Sequence, residues 1–157
     1  MTPLIRRFTS ARSDRQRGAA AVELAILIPI LIVILAPLIL YARYMWHYTV
    51  VHRAAQDAAQ YLATVPKAEM NSRLLAGRAK DVAVEIVKTE LADLAPEDAL
   101  YDPGVYCDTE ECGSVAGAPQ TVRVLVSFEF YDNIFHTYLG PRGFTIEANV
   151  TMSYVGK

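Results

Sequence analysis

The chain has 157 residues, 53% hydrophobic and 20% charged, with a formal net charge of −2. That length supports one modest domain, and the apolar content is high for a soluble protein. Residues 1–18 hold five arginines against one aspartate, net +4, and the remainder holds ten basic against sixteen acidic residues, net −6. Basic residues confined to a short leader are not the footprint of a nucleic-acid-binding face, so no nucleic-acid partner is expected.

Residues 1–18, MTPLIRRFTSARSDRQRG, read as a flexible basic leader. Ala19 to Leu40 follow, 22 residues in which Glu23 is the only charge. At ~1.5 Å per residue this run makes about 33 Å of helix, close to the ~30 Å hydrocarbon core of a bilayer. Pro29 and Pro37 interrupt it, and membrane helices tolerate proline. A secretory signal peptide is the competing reading. Its apolar region would span ~7–15 residues and end at a small-residue cleavage site, whereas this run is longer and no such site follows. By the positive-inside rule the leader stays in the cytoplasm and the acidic remainder lies outside. Residues 19–40 are thus expected to span the membrane lipid, and residues 41–157 to form an exported domain.

The helical pattern continues past the span. Tyr41, Tyr44, Trp46 and Tyr48 suit the outer membrane interface. Val51, Ala54, Ala55, Ala58, Leu62 and Val65 then recur at helical spacing, with Gln56, Asp57 and Gln60 on the other side. One helix is expected from Ala19 to Thr64, ended by Pro66. A second amphipathic helix fits Ser72 to Leu94, capped by Asn71 or Ser72 and followed by Pro96. Its apolar side is Leu75, Ala79, Val82, Ala83, Ile86, Val87, Leu91 and Leu94.

Tyr101 to Pro119 reads as a loop, with Asp102-Pro103-Gly104, then Gly113, Gly117 and Pro119. Two strands follow. In TVRVLVSFEFY, Val122, Val124, Val126, Phe128 and Phe130 share a face; in FTIEANVTMSY, Phe144, Ile146, Ala148, Val150, Met152 and Tyr154 do. An antiparallel hairpin or small sheet is expected, covered by the second helix or the outer half of the first. Between the strands, IFHTYLG reads as a short helical turn. The fold class is α+β.

Cys107 and Cys112 lie in the exported part, where an oxidising compartment favours a disulfide over free thiols; with no two further ligands nearby they make a poor zinc pair. His47 and His52 do not share a helical face and His136 stands apart, so no histidine metal site is expected. Asp108, Glu110 and Glu111 lack the ligand spacing of an EF-hand and read as a solvated loop. No catalytic constellation, phosphate loop or metal motif is readable, so neither enzymatic activity nor a cofactor is expected.

RGAAAVELAILIPIL combines a basic leader ending in Arg17, then Gly18, four small or apolar residues, Glu23 and a long apolar helix. It resembles the class III signal of type IV pilin-like proteins, closest to the TadE-like family, the pseudopilins or minor pilins of the Tad (Flp) pilus system. Val22, Glu23, Ala25 and Pro29 match that family's V-E-x-A-x-x-x-P pattern. Leu24 stands where major Flp pilins carry an aromatic residue, and the chain is longer than those subunits, so the resemblance is to a minor subunit or pseudopilin. It implies cleavage between Gly18 and Ala19 by a prepilin peptidase, with Glu23 then fifth in the mature chain. It implies as partners other Tad/Flp pilins and pseudopilins and an inner-membrane assembly platform, with the N-terminus on the cytoplasmic side of a bacterial inner membrane.

Two readings of Glu23 stand side by side. It can snorkel or stay protonated near the membrane surface. It can also pair with the new Ala19 amine of a neighbouring subunit, with added support from the helix dipole. For the whole chain the alternatives are a signal-anchored single-pass protein whose exported domain binds an envelope partner or ligand, and a membrane-tethered enzyme.

Overall fold

The computed structural model describes residues 13–94, 101–130 and 143–157. Two units are distinguished, divided between Tyr41 and Ala42. Helix α1 runs from Ser13 to Thr64 and contains both Pro29 and Pro37. It begins inside the basic segment, earlier than the apolar pattern suggests, because a helix needs only compatible backbone there and Gln16 and its arginine neighbours are good helix formers.

In the first unit every side chain from Gly18 to Leu35 is exposed. Leu24 is 58% and Val33 72% exposed, so these aliphatic residues are covered by nothing in the protein itself. Among the described residues this is the one helix long and apolar enough to cross a membrane.

The second unit is the α+β domain. In it Val51, Ala54, Ala55, Ala58, Ala59 and Leu62 of α1 are completely buried. Their three-and-four spacing makes one helical stripe, and the alanines let other backbone approach closely. A one-turn helix, α2 (Lys67–Met70), follows Pro66 and buries Met70. Helix α3 spans Arg73–Leu91 and buries Ala76, Ala79, Ala83, Val87 and Leu91. Ser72 takes the N-cap position, but its side chain makes no cap hydrogen bond. Val82, expected inside, is 44% exposed. The buried stripe is narrower than the apolar pattern because alanine lines it.

The sheet has four strands: β1 (Tyr101–Cys107), β2 (Glu110–Glu111), β3 (Thr121–Phe130) and β4 (Phe144–Ser153). Their order is β2-β1-β3-β4 and every neighbouring pair is antiparallel. The hairpin expected from alternation is β3 and β4, with Val126 opposite Ala148 and Phe128 opposite Ile146. Val122, Val124, Val126, Phe128 and Phe130 are all buried, each contributing roughly 1.5–3 kcal/mol. The short turn expected at IFHTYLG lies outside the described residues, as do His136 and Pro96.

Strand β1 falls where a loop was expected. Asp108 N–H donates to Thr121 O, which fixes the ladder parity of β1 on β3. In that parity Pro103, opposite Val126, turns its ring nitrogen away from β3. A proline is compatible with a strand when its missing donor faces an open edge.

The outer part of α1 lies along β4 in the same direction. Tyr44 packs edge-on against Phe144, with ring centroids 6.1 Å apart, at the start of β4. Beyond its end, Val155 N–H donates to Ala63 O at 2.9 Å. His47, 8% exposed, packs on Phe130 at 4.7 Å between centroids. Its Nδ1 is 2.7 Å from Arg43 O. The final residues close the helix terminus: Tyr154 OH donates to Val65 O at 2.6 Å and Lys67 N–H to Lys157 O at 3.4 Å. Carbonyls at a helix end need such partners.

Helices α1 and α3 bring two acids together. Burial, and then the Asp57 carboxylate, hold the Glu90 carboxyl above its ordinary value. A raised carboxyl pKa means the folded state binds more protons than the unfolded chain. The stabilisation it gives is complete below the unfolded value of 4.5 and is lost as pH rises through the raised one. Glu90→Gln removes this penalty. It is expected to stabilise the domain at pH 7 by a few tenths of a kcal/mol, the scale of a partly exposed, water-screened charge interaction. Thermal unfolding of wild type and variant at pH 7 and pH 4.5 checks it, the variant's advantage shrinking at the lower pH.

Candidate functional site

The residues singled out in the sequence lie on one stretch of α1. At ~100° per residue, Gly18, Val22, Ala25 and Pro29 fall within about 60° of one another on one face. Ala19, Glu23, Ile26 and Ile30 line the adjacent face, so the Glu23 carboxylate sits one turn, about 6 Å along the axis, from the Ala19 nitrogen. Arg17 belongs to the same helix.

Gly18 lies inside the helix, and a Cβ built there would meet nothing within 4 Å. Glycine weakens a helix interior by ~1 kcal/mol relative to alanine. Nothing in the packing offsets that loss. Glu23 is exposed, and among the described residues no cation or hydrogen-bond donor meets it. A carboxylate and a glycine thus interrupt an otherwise apolar helix without an internal structural reason.

The cysteine loop is built differently. The sulfurs of Cys107 and Cys112 are bonded at 2.02 Å. Asp108 has a φ of 58°, a left-handed position that Asp tolerates better than most residues. Its carboxylate accepts from Thr121 N–H at 2.8 Å, Gln120 N–H at 3.0 Å and Thr121 Oγ1 at 3.2 Å. Glu111 meets Lys80 of α3 at 2.9 Å. That hydrogen bond raises the Lys80 pKa against a smaller opposing effect of burial. Gly113, at φ 89°, sits so close to α3 that an added Cβ would lie 2.9 Å from the Gly77 Cα.

Asp108 and Glu111 are therefore committed to holding the loop. Among the described residues no three His, Cys, Asp or Glu side chains group to hold a metal ion. His47 is packed among aromatic rings, and the His52 ring stacks on Tyr48 at 4.0 Å. Sequence reading missed the Asp108 clamp; the available signal was an Asp at a strand end followed by a polar turn.

A long exposed apolar helix that continues into a small, disulfide-containing α+β domain is the architecture of a membrane-associated protein. Residues 18–60 match the family described as TadE-like protein, so the chain carries a TadE-like domain. That match takes in α1 from Gly18 to Gln60 and none of the sheet. No curated protein and no solved structure matches the chain.

Opening the bond between Cys107 and Cys112 releases a short loop only. The double variant Cys107→Ser, Cys112→Ser is expected to lose about 2 kcal/mol on the chain-entropy estimate. Denaturant unfolding measures that loss, and circular dichroism should show the sheet retained.

Proposed function

We propose that the protein is a minor pilin or pseudopilin of a Tad/Flp-type pilus, an assembly component with no chemistry of its own. It inserts as a precursor with a basic cytoplasmic leader, residues 1–18. A prepilin peptidase cuts between Gly18 and Ala19. Residues 19–40 then pack laterally with the apolar helices of other pilins at an inner-membrane platform, and residues 41–157 stand outside.

The observation that carries this reading is the uncompensated pair Gly18 and Glu23. A protease must bind its target bond in an extended conformation. Glycine lowers the cost of unwinding α1 there and leaves no side chain to clash. Cutting creates a positive amine on Ala19. In a helix bundle Glu23 of one subunit can meet that amine on the next, and in a low dielectric a wrong stagger leaves charges unpaired. The pair therefore sets register. The start of the family match at Gly18 supports the same boundary.

Two experiments test the two steps separately. Mass spectrometry of membrane-extracted protein is expected to show loss of residues 1–18, and Gly18→Leu to leave the precursor intact. An uncut N-terminus beside an active prepilin peptidase would support the alternative, a signal anchor whose exported domain binds an envelope partner. Glu23→Gln and Glu23→Ala are expected to insert and be cut, since the span becomes more apolar and the glycine remains. Both should lose most co-purification with pilus components, and Glu23→Asp should fall between them. Wild-type association and piliation by Glu23→Ala would refute the pairing.

A further inference from the structure

The two edges of the sheet are treated differently. Along β1 the edge is blunted. Pro103 presents no donor there, and the Val105 carbonyl is taken by Cys112 N–H at 3.2 Å. Strand β2 and the disulfide loop cover the rest, pairing at Tyr106 and Cys107. Proline, short partner strands and covering loops are the usual devices against unwanted strand pairing.

Among the described residues strand β4 carries none of them. Tyr154 N–H donates to Gln120 O in continuation of the register, so even-numbered residues of β4 exchange hydrogen bonds with β3. The N–H and C=O groups of Thr145, Glu147, Asn149, Thr151 and Ser153 therefore point away from the sheet. No backbone partner meets them among the described residues. The strand has ten residues in unbroken register, without proline, lysine, arginine or a bulge. All five outward-pointing residues are exposed, and Glu147 is their only charge. On the core side the row is incompletely covered at this edge: Phe144 is 50% exposed, and Val150 and Met152 are half-buried.

We infer that the free edge of β4 receives an extended strand from a different polypeptide. The complementary strand alternates apolar residues, covering Phe144, Val150 and Met152, with polar ones. It carries a lysine or arginine opposite Glu147. Main-chain hydrogen bonds supply affinity in such strand addition, and alternate side chains supply specificity.

A second copy of this chain fits poorly. Two β4 strands paired about a two-fold axis would run antiparallel. Because α1 lies along β4 in the same direction, residues 42–64 of the two copies would also oppose each other. A second β4 also brings no lysine or arginine to meet Glu147, since the strand's only charge is that glutamate. This exclusion rests on the composition of β4 and needs neither the cut at Gly18 nor the Glu23 pairing.

The test uses the full chain in lipid nanodiscs. The probe is a blocked synthetic decapeptide of alternating valine and threonine with one central lysine. Hydrogen exchange at the amides of Thr145, Glu147, Asn149, Thr151 and Ser153 is expected to slow by about tenfold or more at saturation, as edge amides become ladder amides. Even-numbered β4 amides, already bonded to β3, should be unchanged. The same peptide N-methylated at alternate positions should have no effect. In Glu147→Lys the peptide should bind at least several-fold more weakly, while a peptide with central glutamate should bind better. Unchanged exchange with the unmodified peptide overturns the proposal. Protection that needs no peptide and grows with protein concentration overturns it too, since the occupant is then a second copy.

Discussion

One helix has to serve two environments, and the domain is organised around its second half. From Ala19 to Leu35 the side chains of α1 are exposed and mostly large and aliphatic, with Glu23 the single charge. Beyond Val51 the buried stripe is almost entirely alanine. The change in side-chain size has a physical basis. Lipid tails are fluid and accept any apolar surface, whereas a packed core must be filled to near-crystalline density. Alanine on the helix leaves the volume to be supplied by the opposing sheet, where Phe128, Phe130 and Ile146 are among the largest fully buried side chains. Helix and sheet thus divide the work of filling one core, and the residues after β4 tie the helix end to it through Ala63 and Val65.

The outer parts of the domain are held by polar and covalent links instead. The cysteine loop has few apolar residues to bury, so its shape depends on the disulfide, the Asp108 carboxylate and the contact of Gly113 with Gly77. The Lys80–Glu111 pair adds little, because Glu111 is 62% exposed and water screens it. The result is a rigid flank on the β1 side of the sheet. At the other side β4 has ordered backbone and no comparable cover among the described residues.

The regular elements were legible because their patterns are strong. Strict alternation identified β3 and β4, and the three-and-four stripe from Val51 to Leu62 identified the outer part of α1 and its end at Thr64. The first strand was not legible. Asp102-Pro103-Gly104 is turn chemistry by local rules, and only the pairing with β3 makes it a strand. Helix α3 was placed well, but its inner face was overestimated. Pattern reading treats Val82 and Ile86 as equal to Ala79 and Ala83, while the structure selects the smaller side chains for close approach. The α1 start at Ser13 was missed because helical continuity upstream of Gly18 leaves no apolar trace. Of the candidate residues, Gly18 and Glu23 stand out by their offset from the apolar run; the Asp108 clamp depends on contacts across thirteen residues, and an Asp at a strand end marks the turn but not those partners.

Among the described residues, four that depart from local rules can be compared by what surrounds each one. Asp108 takes a left-handed backbone at φ 58°, but its carboxylate accepts from Thr121 N–H and Gln120 N–H and so holds the turn. Pro103 sits inside a strand, but its missing donor faces an edge that gains from being blocked. Both violations are compensated within the domain. A Cβ at Gly18 would meet nothing within 4 Å, and Glu23 has no partner among the described residues. Local inconsistencies that the fold does not repay are expected where function imposes them. Here both fall within the first turns of the matched segment, five residues apart, at the point where a basic segment meets an apolar one. The fold tolerates these two residues without using them, which directs the search for their role to other molecules; the function proposed above assigns a peptidase to the glycine and a neighbouring helix to the acid.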